Sequence, residues 1–298
     1  MLVKSSDLLS KAKRMGYAVG AFNICSCEFI QAVAEAAHEE NAPVIIQVTW
    51  DVLENLGIDY VSKVTRAASE DNPIPISLHL DHGHDLIHIL KVIKAGFQSV
   101  MYDGSKLTLE KNISSTKKVC QIAHDLGVSV EAQLGTIPSS TDAASVCRLT
   151  NASEAAKFVD ETKVDALSIA VGNIHGKSEG KTELRIDLIE EIAKLTDAPL
   201  VLHGGTGISD EDVKEVIRLG VSKINVGTAT RNAYRTELRN MLTSVPNIGV
   251  NELLLSLRKA MKDVIRAKIL LFGSSGHAHD FWSYEDRSSR SSYNISLD

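Results

Sequence analysis

A chain of 298 residues is long enough for one large domain or two ordinary ones. Its 44% hydrophobic and 23% charged residues match a globular protein and exclude a disordered or fibrous chain, and no apolar run reaches the roughly 18 residues of a membrane span. Lysine and arginine number 32 against 38 aspartates and glutamates, and the net charge of −6 argues against a nucleic-acid partner, which would need a basic stripe. Short apolar runs then alternate with segments of helical period. The strand-like runs are Ala18–Phe22, Val44–Val48, Ile76–Leu80, Ser99–Tyr102, Ser129–Leu134, Ala166–Ala170, Leu200–Leu202 and Lys223–Val226. Between them Phe29–Glu40, Leu86–Ala95, Ile113–Leu126, Ala152–Thr162, Leu188–Leu195 and Asp210–Leu219 carry apolar residues three or four apart, as helices do. Alternating strands and helices predict parallel pairing through right-handed crossovers. Eight consecutive units favour a closed (β/α)8 TIM barrel over a doubly wound sheet.

No Pro/Gly/Ser-rich linker divides the chain, so a single domain over residues 1–298 is expected. Beyond the last strand, about 251–272 reads as one additional helix, Leu-rich and then basic, ended by Gly273-Ser274-Ser275-Gly276; 273–298 forms a Ser/Arg/Tyr-rich tail. Such a helix either caps its own barrel or packs on a neighbouring subunit, and a homodimer or homotetramer is expected. The start of the chain, Met1 to Asp7, has no signal-peptide core, which points to the cytoplasm. The four cysteines are too scattered for a disulfide framework, and Cys25-Ser26-Cys27 reads as small residues beside a helix start.

In a parallel barrel the active site forms where the strands end, so the residues after each run carry the most information. They are Asp81 and His82, then Asp103, then Gly172-Asn173-Ile174-His175-Gly176, then His203-Gly204-Gly205-Thr206-Gly207, and last Asn225-Val226-Gly227-Thr228. Any one of these histidines alone reads as a hydrogen-bonded structural residue. Three of them, His82, His175 and His203, at matching heights and beside glycines suit a zinc ion with an open fourth position. His79 points into the barrel wall by strand alternation. His84, His88 and His124 fall in helical segments and His277 and His279 in the tail, and none of these is expected to be a ligand. Gly-rich turns after the seventh and eighth strands offer backbone N–H groups to a phosphate.

These motifs, from Gly20-Ala21-Phe22-Asn23 to Leu271–Gly276, resemble the class II (zinc-dependent) ketose-bisphosphate aldolases, in the branch of the tagatose- and fructose-bisphosphate aldolases. The most specific pieces are Leu78–Gly83, Ser99–Ser105, Val130-Glu131-Ala132, Asp165–Gly176, Pro199–Gly207 and Lys223–Thr228. The resemblance implies that His82, His175 and His203 bind catalytic Zn2+ and that Asp81 is the proton-transferring acid/base. It also implies that Gly176, Gly204, Gly205, Thr206, Asn225, Val226, Gly227 and Thr228 hold the phosphate and backbone of dihydroxyacetone phosphate. Read from position alone, Asp81 is either that catalytic group or a partner that orients a histidine.

The chain also departs from the pattern. Gln133 stands where the family has a carboxylate that, with Asp103, holds zinc in a second position. Pro138 and Ser139 replace a glycine pair, which should stiffen a mobile loop. Thr141 replaces a glutamate that exchanges the C3 proton of dihydroxyacetone phosphate, and Asp142 follows one residue late. On the aldehyde side Asn23 is retained, Cys25 and Ser26 replace asparagines, and Thr49-Trp50-Asp51 replaces small or basic residues. Thr49 and Asp51 are expected beside the aldehyde half, which should differ from that of fructose or tagatose bisphosphate. The expected function is a zinc-dependent aldolase that reversibly cleaves a phosphorylated ketose to dihydroxyacetone phosphate and an aldehyde. The alternatives are a non-catalytic zinc- and phosphate-binding barrel serving assembly, and a metal-dependent hydrolase, for which a carboxylate or lysine bridging a second metal is missing.

Overall fold

The computed structural model describes residues 1–140, 146–176 and 182–281. Eight parallel strands close into a barrel in sequence order, β1 pairing with both β2 and β8. They are β1 Val19–Asn23, β2 Val44–Thr49, β3 Ile76–Gly83, β4 Ser99–Tyr102, β5 Ser129–Leu134, β6 Ala166–Ile169, β7 Leu200–Leu202 and β8 Val221–Val226. The helices are α1 Ser5–Met15, α2 Cys27–Glu39, α3 Trp50–Leu56, α4 Ile58–Asp71, α5 Leu86–Lys94, α6 Leu109–Asp125, α7 Ala152–Thr162, α8 Ile186–Leu195, α9 Asp210–Arg218, α10 Thr228–Ser244 and α11 Val250–Leu271. Both faces of the strands are covered, one by helices and one by the barrel interior, so their residues are buried except Asn23, Thr49 and His82, which are partly exposed at the upper ends.

Helix starts follow local chemistry. Asp85, Thr108, Asn151 and Ser209 each accept a backbone N–H of the first turn of α5, α6, α7 and α9. His84 lies in the loop before Asp85 and not in a helix, a correction to the periodicity reading; the helical run begins only after the capping carboxylate.

Alternation sorts each strand into two faces. The outward residues, such as Ile46, Leu78, Val130 and Ile224, belong to one large core under the helices. At the bottom the inward residues are apolar, and Val19, Ala21, Ile45, Ala166 and Val201 meet Leu8, Leu9 and Ala12 of α1. Helix α1 therefore plugs the lower end. Above that plug the interior turns polar, with Gln47, His79, Ser99, Glu131, Ser168 and Lys223 all buried. His79 shares this inward face, so it points into the barrel interior and not into its wall; its Nδ1 lies 2.7 Å from Ser99 Oγ.

Helix α11 packs on its own barrel. Leu257, Met261, Ile265 and Ile269, four residues apart, are buried in one stripe against α2 and α10. Lys262 and Arg266 pair with Glu39 and Glu40 at 2.6 and 2.8 Å along the margin. The Phe272 carbonyl accepts from Ala18 N at 3.0 Å, tying the helix end to the start of β1. Of the tail, residues 273–281 are described and the rest lies outside the described residues. Among the described residues no helix is long and apolar enough to cross a membrane.

Candidate active site

A cleft of about 810 Å³ opens at the C-terminal ends of the strands, lined by Asn23, Asp81, His82, His175, Gly204 and Asn225 among others. At its floor the three predicted histidines meet. One ring nitrogen from each lies within 4.8 Å of the others. Their ring centroids are 4.8 to 5.4 Å apart and the rings cross at 72° to 81°.

His82 reaches this position through a backbone irregularity. Alternation would place Asp81 inward and His82 outward. The register of β3 against β4 instead shifts between Leu80 and Gly83, and His82 adopts φ +53°, in the left-handed region. Both side chains then face the cleft. A non-glycine residue held there costs about 1–3 kcal/mol, which the surrounding contacts must offset.

The outer nitrogens of two rings are held by carboxylates. His82 Nδ1 lies 2.8 Å from Asp103 Oδ2, and His203 Nε2 lies 3.0 Å from Glu131 Oε1. With those nitrogens donating, His82 Nε2 and His203 Nδ1 turn lone pairs toward each other at 3.1 Å. Two facing lone pairs require a proton or a metal ion between them. The electrostatics agree: burial alone would lower His82, but Asp81 and Asp103 outweigh it and push it up to about 9. Burial and the charge on His82 push His175 down to about 4 and His203 well below the usual range. The cluster therefore favours positive charge at its centre, and three imidazoles with oriented outer nitrogens fit a divalent metal.

Asp81 sits beside the cluster, its Oδ1 3.9 Å from His82 Nε2. Asn23 Nδ2 donates to Asp81 Oδ2 at 2.7 Å, and Gln47 Nε2 donates to Asn23 Oδ1 at 2.9 Å. Burial would raise the Asp81 carboxyl, but His82, Lys223 and the Asn23 hydrogen bond bring it down to about 2. It is held ionised, as a proton acceptor must be.

The glycine-rich turns approach from β6, β7 and β8. Gly204 has φ +75°, and a Cβ there would run into the Ile174 carbonyl, so only glycine lets the two loops close. Gly176, Gly204, Thr206, Asn225, Gly227 and Thr228 line the cleft. Gly205 and Val226 do not; Val226 faces the helices with the rest of its strand parity. Asn225 Oδ1 is buried without a hydrogen-bond partner among the described residues.

On the aldehyde side Asn23 and Thr49 line the cleft and Asp51 does not. Asp51 is exposed in the first turn of α3, and Trp50 turns away to stack on His88 at 3.5 Å. Neither fills the mouth as the sequence suggested, because β2 ends at Thr49 and the helical turn rotates both residues outward. Gln133 is buried at the lining, and Pro138 to Ser140 pair with the backbone of His175. Thr141 and Asp142 lie outside the described residues.

Sequence reading missed Gln47, Lys223 and Arg231 and gave Glu131 no role. The first two and Glu131 lie on inward parity, a signal that two-residue spacing carried. Arg231 lies one turn into α10 and only folding brings it to the cleft.

Residues 3–277 match the family described as class-II fructose-bisphosphate aldolase. The chain belongs to this aldolase family. It is 37% identical to the sulfofructosephosphate aldolase of Alkalicoccus urumqiensis, over 94% of this chain and 99% of that one. It is 39% identical to the fructose-bisphosphate aldolase of Staphylococcus aureus, over 93% and 99%. The YdjI aldolase of Escherichia coli K12 superposes with a TM-score of 0.85 at 32% identity, covering 93% of this chain and all of that one. Aldolases are lyases, so the chain is a class II aldolase, and the non-catalytic and hydrolase readings lose their ground.

Proposed function

We propose that this aldolase reversibly cleaves a phosphorylated ketose to dihydroxyacetone phosphate and an aldehyde, with Zn2+ held by His82, His175 and His203. The convergence of those three imidazoles beside an ionised Asp81 carries the reading. Zinc, when bound there, acts as a Lewis acid that stabilises the negative charge left when the C3–C4 bond breaks. Asp81, oriented by Asn23, removes the proton of the C4 hydroxyl in cleavage and returns it in condensation. The backbone of Gly176, Gly204 and Thr206, with Asn225, Gly227 and Thr228, holds the phosphate and hydroxyl groups of the dihydroxyacetone half, while Gly205 and Val226 support these turns from behind. Asn225 Oδ1 has a free acceptor for a substrate hydroxyl.

The aldehyde half is proposed to differ from that of fructose or tagatose bisphosphate, because Cys25, Ser26 and Thr49 stand where that branch carries other side chains. The relatives act on more than one ketose phosphate by name, so similarity leaves the substrate open. We further propose a single domain that assembles as a homodimer or homotetramer in the cytoplasm. Leu242, Val245, Val250 and Leu255, all exposed where α10 meets α11, offer an apolar face for such assembly. Release of dihydroxyacetone phosphate from a panel of ketose phosphates, with and without chelator, tests the reaction. Release that survives complete metal removal, or no release from any member, rejects it.

A further inference from the structure

Position 227 is on the inward face of the barrel, where a side chain would enter the mouth. A Cβ on Gly227 would fall 2.8 Å from Asn23 Oδ1 and 3.0 and 3.2 Å from the guanidinium nitrogens of Arg231. The missing side chain is therefore what lets Arg231 fold back from α10 across the mouth. The guanidinium also reaches the Cys25 thiol just beyond β1. It stands over Asn23, the residue that holds Asp81, and so over the sector formed by β1, β2 and β8. Among the described residues no carboxylate pairs with it. Asp51 is near enough to act electrostatically on the same Cys25 thiol. The other cations of the cleft, Lys106 and Arg148, stand beyond β4, where Arg148 donates to the Ser105 carbonyl at 3.1 Å.

A planar fork of donors with no carboxylate partner among the described residues, standing over Asn23 beside Asp81, suits an oxyanion. Arg231 brings one positive charge to that sector, which a sulfonate or carboxylate matches one for one, whereas the second charge of a phosphate is left unpaired. We infer that Arg231, admitted by Gly227, selects ketose phosphates whose aldehyde half ends in a singly charged oxyanion, a sulfonate or carboxylate, over a terminal phosphate or a neutral hydroxymethyl. This inference rests on the aldolase reading above and specifies its substrate.

Four probes with one carbon skeleton test it: fructose 1-phosphate, fructose 1,6-bisphosphate, 6-deoxy-6-sulfofructose 1-phosphate and the analogue with C6 oxidised to a carboxylate. The sulfonate or the carboxylate should exceed fructose 1-phosphate in kcat/KM by about 10- to 100-fold, the worth of a charge-assisted hydrogen-bond pair. In Arg231→Gln, an exposed position whose change should leave folding intact, that ratio should collapse toward one, and Arg231→Lys should restore part of it. An unchanged charged-to-neutral ratio in Arg231→Gln, or a wild-type enzyme that prefers fructose 1-phosphate or the bisphosphate, overturns the inference while the aldolase reading stands. If no probe releases dihydroxyacetone phosphate, the aldolase reading fails, and calorimetric binding of the same probes decides: Arg231-dependent preference for the single charge supports the inference, and equal binding ends it.

Discussion

His203 Nε2 lies 3.0 Å from Glu131 Oε1 in the closed interior of the barrel, and the other oxygen of that carboxylate accepts from Lys223 Nζ at 2.8 Å. One buried carboxylate thus fixes the tautomer of a proposed metal ligand while a buried ammonium compensates its charge. His79 Nε2, 3.7 Å from the same carboxylate, completes the group. Glu131, Lys223 and His79 come from β5, β8 and β3, three strands far apart in sequence.

Glu131→Gln should weaken zinc binding by about 10- to 100-fold, as removal of an outer-sphere carboxylate generally does. Competition with a chromogenic chelator measures it directly. Unaltered affinity would show that the Glu131 contact does not orient His203.

Lys223→Met removes the compensating charge and leaves Glu131 buried and unpaired, so it should destabilise the fold by about 3–5 kcal/mol. Chemical denaturation of the metal-free protein separates this effect from metal loss. The double variant Glu131→Gln/Lys223→Met should recover most of the stability and little of the metal affinity.

Asp81→Asn keeps the hydrogen-bonding shape around Asn23 and removes the base. Cleavage should fall by roughly 10²–10⁴-fold while zinc content stays near one per chain. A rate within about threefold of the parent would make Asp81 a partner that only orients neighbouring groups.

Thr141, where the family has a glutamate, bears on proton exchange. Deuterium exchange into dihydroxyacetone phosphate alone should be no faster than overall cleavage, and Thr141→Glu should accelerate it. Loss of exchange in Asp142→Asn would instead place the exchanging base at Asp142.

Ile265→Ala on α11 should cost about 2–5 kcal/mol, because that side chain is fully buried against the barrel. A thermal midpoint unchanged from the parent would mean that α11 docks too loosely to support the fold.

The sequence by itself determined the barrel and most of the candidate site. Eight apolar runs separated by amphipathic segments leave few closed parallel arrangements, and every run became a strand within a few residues of its expected ends. His82, His175 and His203 were legible because catalytic groups in a parallel barrel must follow strand ends, which are visible as the close of an apolar run. Tertiary structure decided whatever depends on which way a residue faces after the strand stops. His82 reaches the cluster only through a left-handed residue at a register shift, and Trp50 and Asp51 leave the mouth because a helix begins immediately after Thr49. Arg231 enters it only because Gly227 has no side chain to stop it. Such directions are set by a few backbone torsions and by close approach between distant segments, and hydrophobic period carries no record of either.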